Sequence, residues 1–155
     1  MAPAPHFLKP SLTERIFNRC FAVAIGFGMG LAHNYVLEVR GRKSGRMYSA
    51  PVDLLEFEGR RYLVAPRGET QWVRNARAAG RVTLRRGRKG TDYTVREVGS
   101  ARRPELLKAY LARFALTVQR YFPIPRESPA SDFAPLAERY PVFELLPAGG
   151  ARADV

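Results

Sequence analysis

Between Asn34 and Val98 the chain is cut into short runs with the two-residue period of a β-strand, separated by turn residues. "NYVLEVRG" (34–41) alternates Tyr35, Leu37 and Val39 with more polar neighbours. "MYSAPVDLLEFEG" (47–59) reads as a long second strand that turns at Glu58-Gly59, with "RRYLVA" (60–65) as its hairpin partner. "RVTLRRGRKGTDYTVREV" (81–98) reads as a second hairpin, turning within 87–90. Pro51 sits inside the second strand and has no N–H to give, which predicts a sheet edge or a bulge there. "YPVFELLP" (140–147) completes a set of about six strands.

Helical signals punctuate this pattern. Ser11 with Glu14 three residues later forms a capping-box start for a helix over 12–25, which Gly26, Gly28 and Gly30 break. A mid-chain helix is predicted over 70–79, closed by Gly80. A C-terminal helix starts near Pro104 and repeats Leu106, Leu107, Tyr110, Leu111, Phe114 and Val118 on one face. The sum is a barrel-like α+β fold, mostly antiparallel, with N-terminal, mid-chain and C-terminal helices. Residues 1–10 read as a loose arm, 11–147 as a single domain and 148–155 as a loose tail.

Composition narrows the function. The 155 residues carry 26 Lys+Arg against 14 Asp+Glu, a net charge of +12. Such an excess attracts anions: nucleic acid, an anionic membrane face or a polyanionic small molecule. The basic runs hold few aromatics to stack bases, Tyr48 and Tyr93 at most, so nucleic acid is not expected. Cys20 is the only cysteine and His6 and His33 the only histidines, which fits a reducing cytoplasm and argues against a metal site. The apolar run "FAVAIGFGMGLA" (21–32) is shorter than the roughly 20 residues that span a bilayer. Arg15 and Arg19 precede it as in a signal peptide, but Glu14, the glycines and the poor cleavage site "LAHN" argue against one. A core helix followed by a glycine-rich turn is the favoured reading, and peripheral membrane contact by the N-terminal helix the alternative.

Two segments carry candidate chemistry. In "RGRKSGRMYSAP" (40–51), Arg40, Arg42, Lys43 and Arg46 surround Gly41, Ser44 and Gly45. Glycine lets backbone N–H groups turn toward an anion, Ser44 can donate a hydroxyl, and arginine and lysine supply charge. It is not a Walker loop, because the glycines that motif needs ahead of its lysine are not at the right spacing before Lys43. On charge and glycine alone, a phosphate site and an exposed basic hairpin fit equally. The second segment is "VAPRGETQWVRN" (64–75), where a strand end leads into a helix start that can attract an anion. Trp72 and Asn75 share a helix face, although Trp72 can equally pack in the core. "RRGRKG" (85–90) reads as a solvated turn, and "GFGMG" (26–30) lacks the dinucleotide fingerprint. No nucleophile elbow and no carboxylate pair is evident, so an enzyme of this sequence would borrow a cofactor.

Taken in order, the strand into "GRKSG", the proline-bearing strand, "GRRYLVA", "WVRN" and "VTL" resemble the deazaflavin-dependent nitroreductase family of flavin/deazaflavin oxidoreductases. The resemblance runs from about Tyr35 to Glu97. It implies a split β-barrel related to FMN-binding proteins, and coenzyme F-420, a deazaflavin with a phospholactyl-oligoglutamate tail. It further implies that Arg42, Lys43, Ser44 and Gly45 hold the phosphate and acidic tail. Tyr48, Ser49, Ala50, Pro51, Val52 and Asp53 would run beside the ring, and Ala65, Pro66 and Arg67 would line its other edge. The segment from Gln71 to Asn75 would close the site, Trp72 by packing and Asn75 by hydrogen bonding. Glu69 stands where members often have glycine, and would place a carboxylate near an anionic ligand. The implied reaction passes a hydride to an electron-poor acceptor, a quinone, enone or nitro compound, with Tyr110 and Tyr121 as candidate proton donors. The same barrel holding FMN, and a non-catalytic barrel for a cofactor or lipid-like ligand, are the alternatives.

Overall fold

The computed structural model describes residues 34–148. The predicted arm, the helix over 12–25, the apolar run over 21–32 and the tail beyond 148 lie outside the described residues. So does any membrane contact made through them. Among the described residues, no helix is long and apolar enough to cross a membrane.

Six strands close an antiparallel barrel in the order β1-β2-β3-β6-β5-β4. They are β1 (Asn34–Arg40), β2 (Met47–Phe57), β3 (Arg60–Val64), β4 (Arg81–Arg86), β5 (Lys89–Glu97) and β6 (Val142–Pro147). Among the described residues three α-helices accompany them: α1 (Gln71–Ala79), α2 (Arg103–Val118) and α3 (Ala130–Phe133). The β2–β3 turn has positive φ at both Glu58 (50°) and Gly59 (75°), as a two-residue hairpin whose strands twist right-handedly requires. The β4–β5 turn is equally tight, with Arg86 opposite Lys89.

Pro51 resolves differently from a plain edge strand. β2 lies between β1 and β3 in the barrel, but it changes partner halfway along. Asp53 and the residues before it pair with β1, and Leu54 onward pair with β3. Pro51 faces Val36 in the half that has one neighbour, where a missing N–H costs no second ladder.

Strand alternation sorts the apolar residues into two layers. Leu37, Val39, Leu63, Val82, Leu84 and Phe143 fill the barrel interior. Tyr62, Val64, Leu55 and Val142 point the other way, and α2 covers them with Leu106, Leu107, Tyr110, Leu111, Phe114 and Val118. All six residues of the predicted helical face are therefore buried together. Each buried aliphatic side chain contributes about 1.5–3 kcal/mol.

The helix that matters for function is α1. Trp72, Val73 and Ala76 belong to the interior cluster, so α1 plugs one end of the barrel, with Trp72 against Phe143 at 5.9 Å. Gly80 closes it, its N–H donating to Ala76 O at 2.8 Å. One ion network ties α1 to the rest. Arg77 donates to both oxygens of Glu69 at 3.0 Å and to those of Glu97 on β5 at 2.8 and 2.9 Å. Arg103 at the start of α2 reaches the same Glu97 at 3.2 Å.

Candidate functional site

The loop 41–46 joins β1 to β2 and is folded onto itself. Gly41 N–H donates to Arg46 O at 2.7 Å, and Gly45 N–H to Gly41 O at 2.9 Å. Ser44 Oγ accepts the Arg46 N–H at 3.1 Å. Both glycines are required. Gly45 has φ +72°, and a Cβ on Gly41 would sit 3.0 Å from Ser44 Oγ and 3.1 Å from Arg46 O.

Asn75 fixes this loop to α1. Its Oδ1 accepts the Arg42 main-chain N–H at 3.1 Å and Arg42 Nη1 at 2.8 Å. The same Nη1 reaches Gln71 Oε1 at 3.0 Å. Gln71 and Asn75 are four apart and share one helix face, so a single turn of α1 supplies both acceptors. Asn75 is buried, which makes the bonds it accepts more valuable than their surface equivalents.

What the loop leaves over defines its chemistry. Among the described residues, nothing accepts the N–H of Lys43 or Ser44, and the Ser44 hydroxyl proton is uncommitted. The exposed Lys43 ammonium and Arg46 guanidinium flank these donors and pair with no described acid. From Arg40 to Val52 the chain has no acidic residue. Adjacent uncommitted N–H groups, a hydroxyl and cations are a donor set that a phosphate or carboxylate can take. They border a cleft of about 280 Å³ lined by Gly41, Arg42, Lys43, Ser44, Arg46, Met47, Tyr48, Gln71 and Asn75.

The structure thus gathers Arg42, Lys43, Ser44, Tyr48, Gln71 and Asn75, with Gly45 as the bend that shapes the loop. Asn75 acts on the loop through Arg42, a role that motif spacing did not show. Arg46, Met47 and Gly41 join the cleft as well, and the hairpin register could have found them. Arg40 pairs with Met47, so both loop ends return to one point.

Other expected site residues lie elsewhere. Ala50, Ala65 and Trp72 are in the barrel interior, and Val52 packs on it. Ser49 is exposed beyond the cleft, and Pro51 and Asp53 are half-buried, Asp53 accepting from Asn34 Nδ2. Pro66 and Arg67 form the turn after β3. Tyr110 and Tyr121 do not reach the cleft. Tyr110 is enclosed by Phe114 and Phe122, and burial pushes its phenol well above the ordinary value, so it is a packing group. The Tyr121 hydroxyl accepts from Arg120 at 2.7 Å. Glu69, the residue least suited to an anionic ligand, does not line the cleft. Both its oxygens are held by Arg77.

The described residues thus form a closed antiparallel barrel with a cationic, glycine-bent loop pinned to α1 at one end. The profile of the F420H(2)-dependent quinone reductase family matches residues 13–124, and the chain belongs to that family. It is therefore an oxidoreductase that uses coenzyme F-420 to reduce a quinone-type acceptor. A comparison with curated proteins finds no match. Among solved structures, one described as an F420-H2 dependent reductase (FDR-A) is 21% identical, with a TM-score of 0.50 over 74% of this chain and 94% of that chain. One described as a domain-swapped dimer is 21% identical, with a TM-score of 0.51 over 86% and 92%. A protein of unknown function from Agrobacterium tumefaciens is 16% identical, with a TM-score of 0.55 over 92% of this chain and 58% of that chain. At these identities they support the barrel fold alone.

Proposed function

We propose that the cleft between the loop 41–46 and α1 holds the phosphate and acidic end of coenzyme F-420. Lys43, Ser44 and Arg46 supply the contacts, and Arg42 supports the loop from behind. The observation that carries this reading is the pair of uncommitted N–H groups at Lys43 and Ser44, presented beside two unpaired cations. The residues fit such a group, because Lys43, Ser44 and Arg46 offer uncommitted donors and positive charge, and the nearest acid on α1's approach, Glu69, is neutralised by Arg77.

When bound in its reduced form, the coenzyme supplies a hydride. The chain's own part is positioning. Tyr48 and Met47 offer the apolar wall of the cleft, and both are exposed enough to meet a flat ring. Solvent reaches this mouth, so water delivers the proton that completes reduction of the acceptor. The open mouth also suits enones and nitro compounds, which like quinones present an electron-poor centre to a hydride.

The test is a fluorescence titration with F-420, with the deazaflavin nucleoside lacking phosphate and tail, and with FMN. F-420 is expected to bind best. The double variant Lys43→Ala/Ser44→Ala is expected to lose that preference while still binding the nucleoside. Undiminished preference for F-420 in the variant would overturn the loop assignment.

A further inference from the structure

Large apolar side chains are scarce on the surface of the described residues. Three are exposed: Met47, Tyr48 and Leu116. The first two are neighbours in sequence, and both line the cleft. Met47 is the more open of that pair, at 62% of its accessible surface. It begins β2, opposite Arg40 in the β1–β2 register, and belongs to neither core cluster. Its side chain therefore meets solvent at the mouth of the cleft.

An exposed thioether is open to two-electron oxidation. With hydrogen peroxide, a sulfur lone pair attacks one oxygen, the O–O bond breaks and an S–O bond forms. The proton on the attacked oxygen passes to the departing hydroxide, which leaves as water. Sulfur is oxidised by two electrons and the peroxide is reduced by two. The product is methionine sulfoxide, polar where the thioether was apolar.

The surroundings of Met47 decide what that change does. Lys43, Ser44 and Arg46 line the same cleft, and the N–H groups of Lys43 and Ser44 have no acceptor among the described residues. A sulfoxide oxygen puts an acceptor among donors that otherwise serve an anionic ligand. The wall also loses the contact that a thioether sulfur makes with a flat aromatic ring. Both changes act in one direction, toward weaker binding.

We propose that Met47 is an oxidation-sensitive residue of the cleft, and that its conversion to the sulfoxide by a peroxide reversibly weakens coenzyme binding. This rests on the reading of the cleft as the F-420 site. The device lowers hydride delivery as oxidant accumulates, and enzymatic reduction of the sulfoxide restores it.

The experiment treats the full chain with hydrogen peroxide and follows Met47 by mass spectrometry. Cleavage after Arg46 and Arg60 releases the peptide 47–60, which holds no other methionine and no cysteine. This peptide is expected to gain one oxygen atom, and to gain it more slowly when F-420 or the deazaflavin nucleoside is bound, because the ring covers it. Oxidised wild type is expected to bind both ligands about two- to tenfold more weakly, as loss of one sulfur–aromatic contact dictates. Its Tm without ligand should hold, since Met47 lies outside the core clusters. Methionine sulfoxide reductases acting on both epimers should restore the Kd. Met47→Leu, titrated before and after the same treatment, controls for Cys20, Met1 and Met29, and its Kd should not respond to peroxide. A peptide 47–60 that stays unoxidised, or that oxidises equally fast with ligand bound, overturns the proposal. So does a Kd that ignores the added oxygen, a loss that the reductases do not reverse, a loss that persists in Met47→Leu, or one explained by a fall in Tm. An unoxidised wild type that binds F-420 no better than the nucleoside overturns the loop reading instead, and leaves Met47 readable through the nucleoside.

Discussion

The main-chain N–H and the guanidinium of Arg42 converge on one atom, Oδ1 of Asn75, at 3.1 and 2.8 Å. One buried amide oxygen thus holds both the backbone and the side chain of Arg42 in the loop 41–46. The neighbouring N–H groups of Lys43 and Ser44 have no acceptor among the described residues.

Replacing Asn75 with Ala should therefore disorder a loop that it does not belong to. Hydrogen bonds to a charged group contribute about 1.5–3 kcal/mol, which corresponds to roughly a 10- to 100-fold weaker Kd for F-420. Turnover at saturating cofactor should change far less. Asn75→Asp keeps the acceptor but adds charge beside the ligand, so it should recover Tm without recovering affinity. Titration together with thermal melting checks both.

Gly45→Ala places a side chain at φ +72°, at a cost of about 1–2 kcal/mol. The strain falls on the loop and not on the core, so the Kd for F-420 should rise about tenfold with little loss of Tm. An unchanged Kd would show that the bend at Gly45 does not shape the site.

Arg77 is the hub that keeps Glu69 from acting as a free charge. Arg77→Gln should lower stability by about 1 kcal/mol, given the partial exposure of the network. It should also weaken F-420 binding more at low salt than at high salt, because the released Glu69 carboxylate repels the ligand. A salt-independent loss would mean the effect comes from displacement of α1 and not from charge.

The same network predicts the acid limb of stability. The hydrogen bond from Arg77 holds the Glu97 carboxyl below its usual range, against the opposing effect of burial. A depressed folded pKa stabilises the fold fully above the unfolded value, near 4.3, and the gain disappears as pH falls through the folded value. Tm measured between about pH 6 and pH 2 should fall less steeply in Glu97→Gln than in wild type, from a lower start.

Tyr110→Phe should leave turnover unchanged, because the phenol is enclosed by aromatic neighbours. Tyr110→Ala should instead cost about 3–5 kcal/mol of stability through the cavity it opens. Steady-state kinetics beside denaturant melts separate the two roles.

The hairpins were legible because their turns are encoded locally, at Glu58-Gly59 and around Gly87. The α2 face was legible because helical period marks one stripe, and all of that stripe is buried. A barrel-like sheet was legible from the strand pattern, but which strands close it was not, since β1 meets β4 in a pairing with no local signal. That closure decides that Ala50, Ala65 and Trp72 face inward, where a motif reading had set them beside a ligand. The cationic loop was recognisable from residue types. The division of labour within it was not, because Arg42 finds its acceptor on an element 33 residues away. Glu69 looked hostile for the same reason, since its neutralisation needs α1 to bring Arg77 beside it.

The plug helix carries a geometric constraint of its own. Trp72, Val73 and Ala76 must enter the barrel while Gln71 and Asn75 stay against the loop. One residue inserted between Trp72 and Asn75 would rotate everything after it by about 100°. Asn75 would swing off Arg42 and Ala76 would leave the interior in the same step. The spacing within this one helical turn therefore couples folding of the barrel to the shape of the loop 41–46, and substitutions can retune that loop where insertions or deletions cannot.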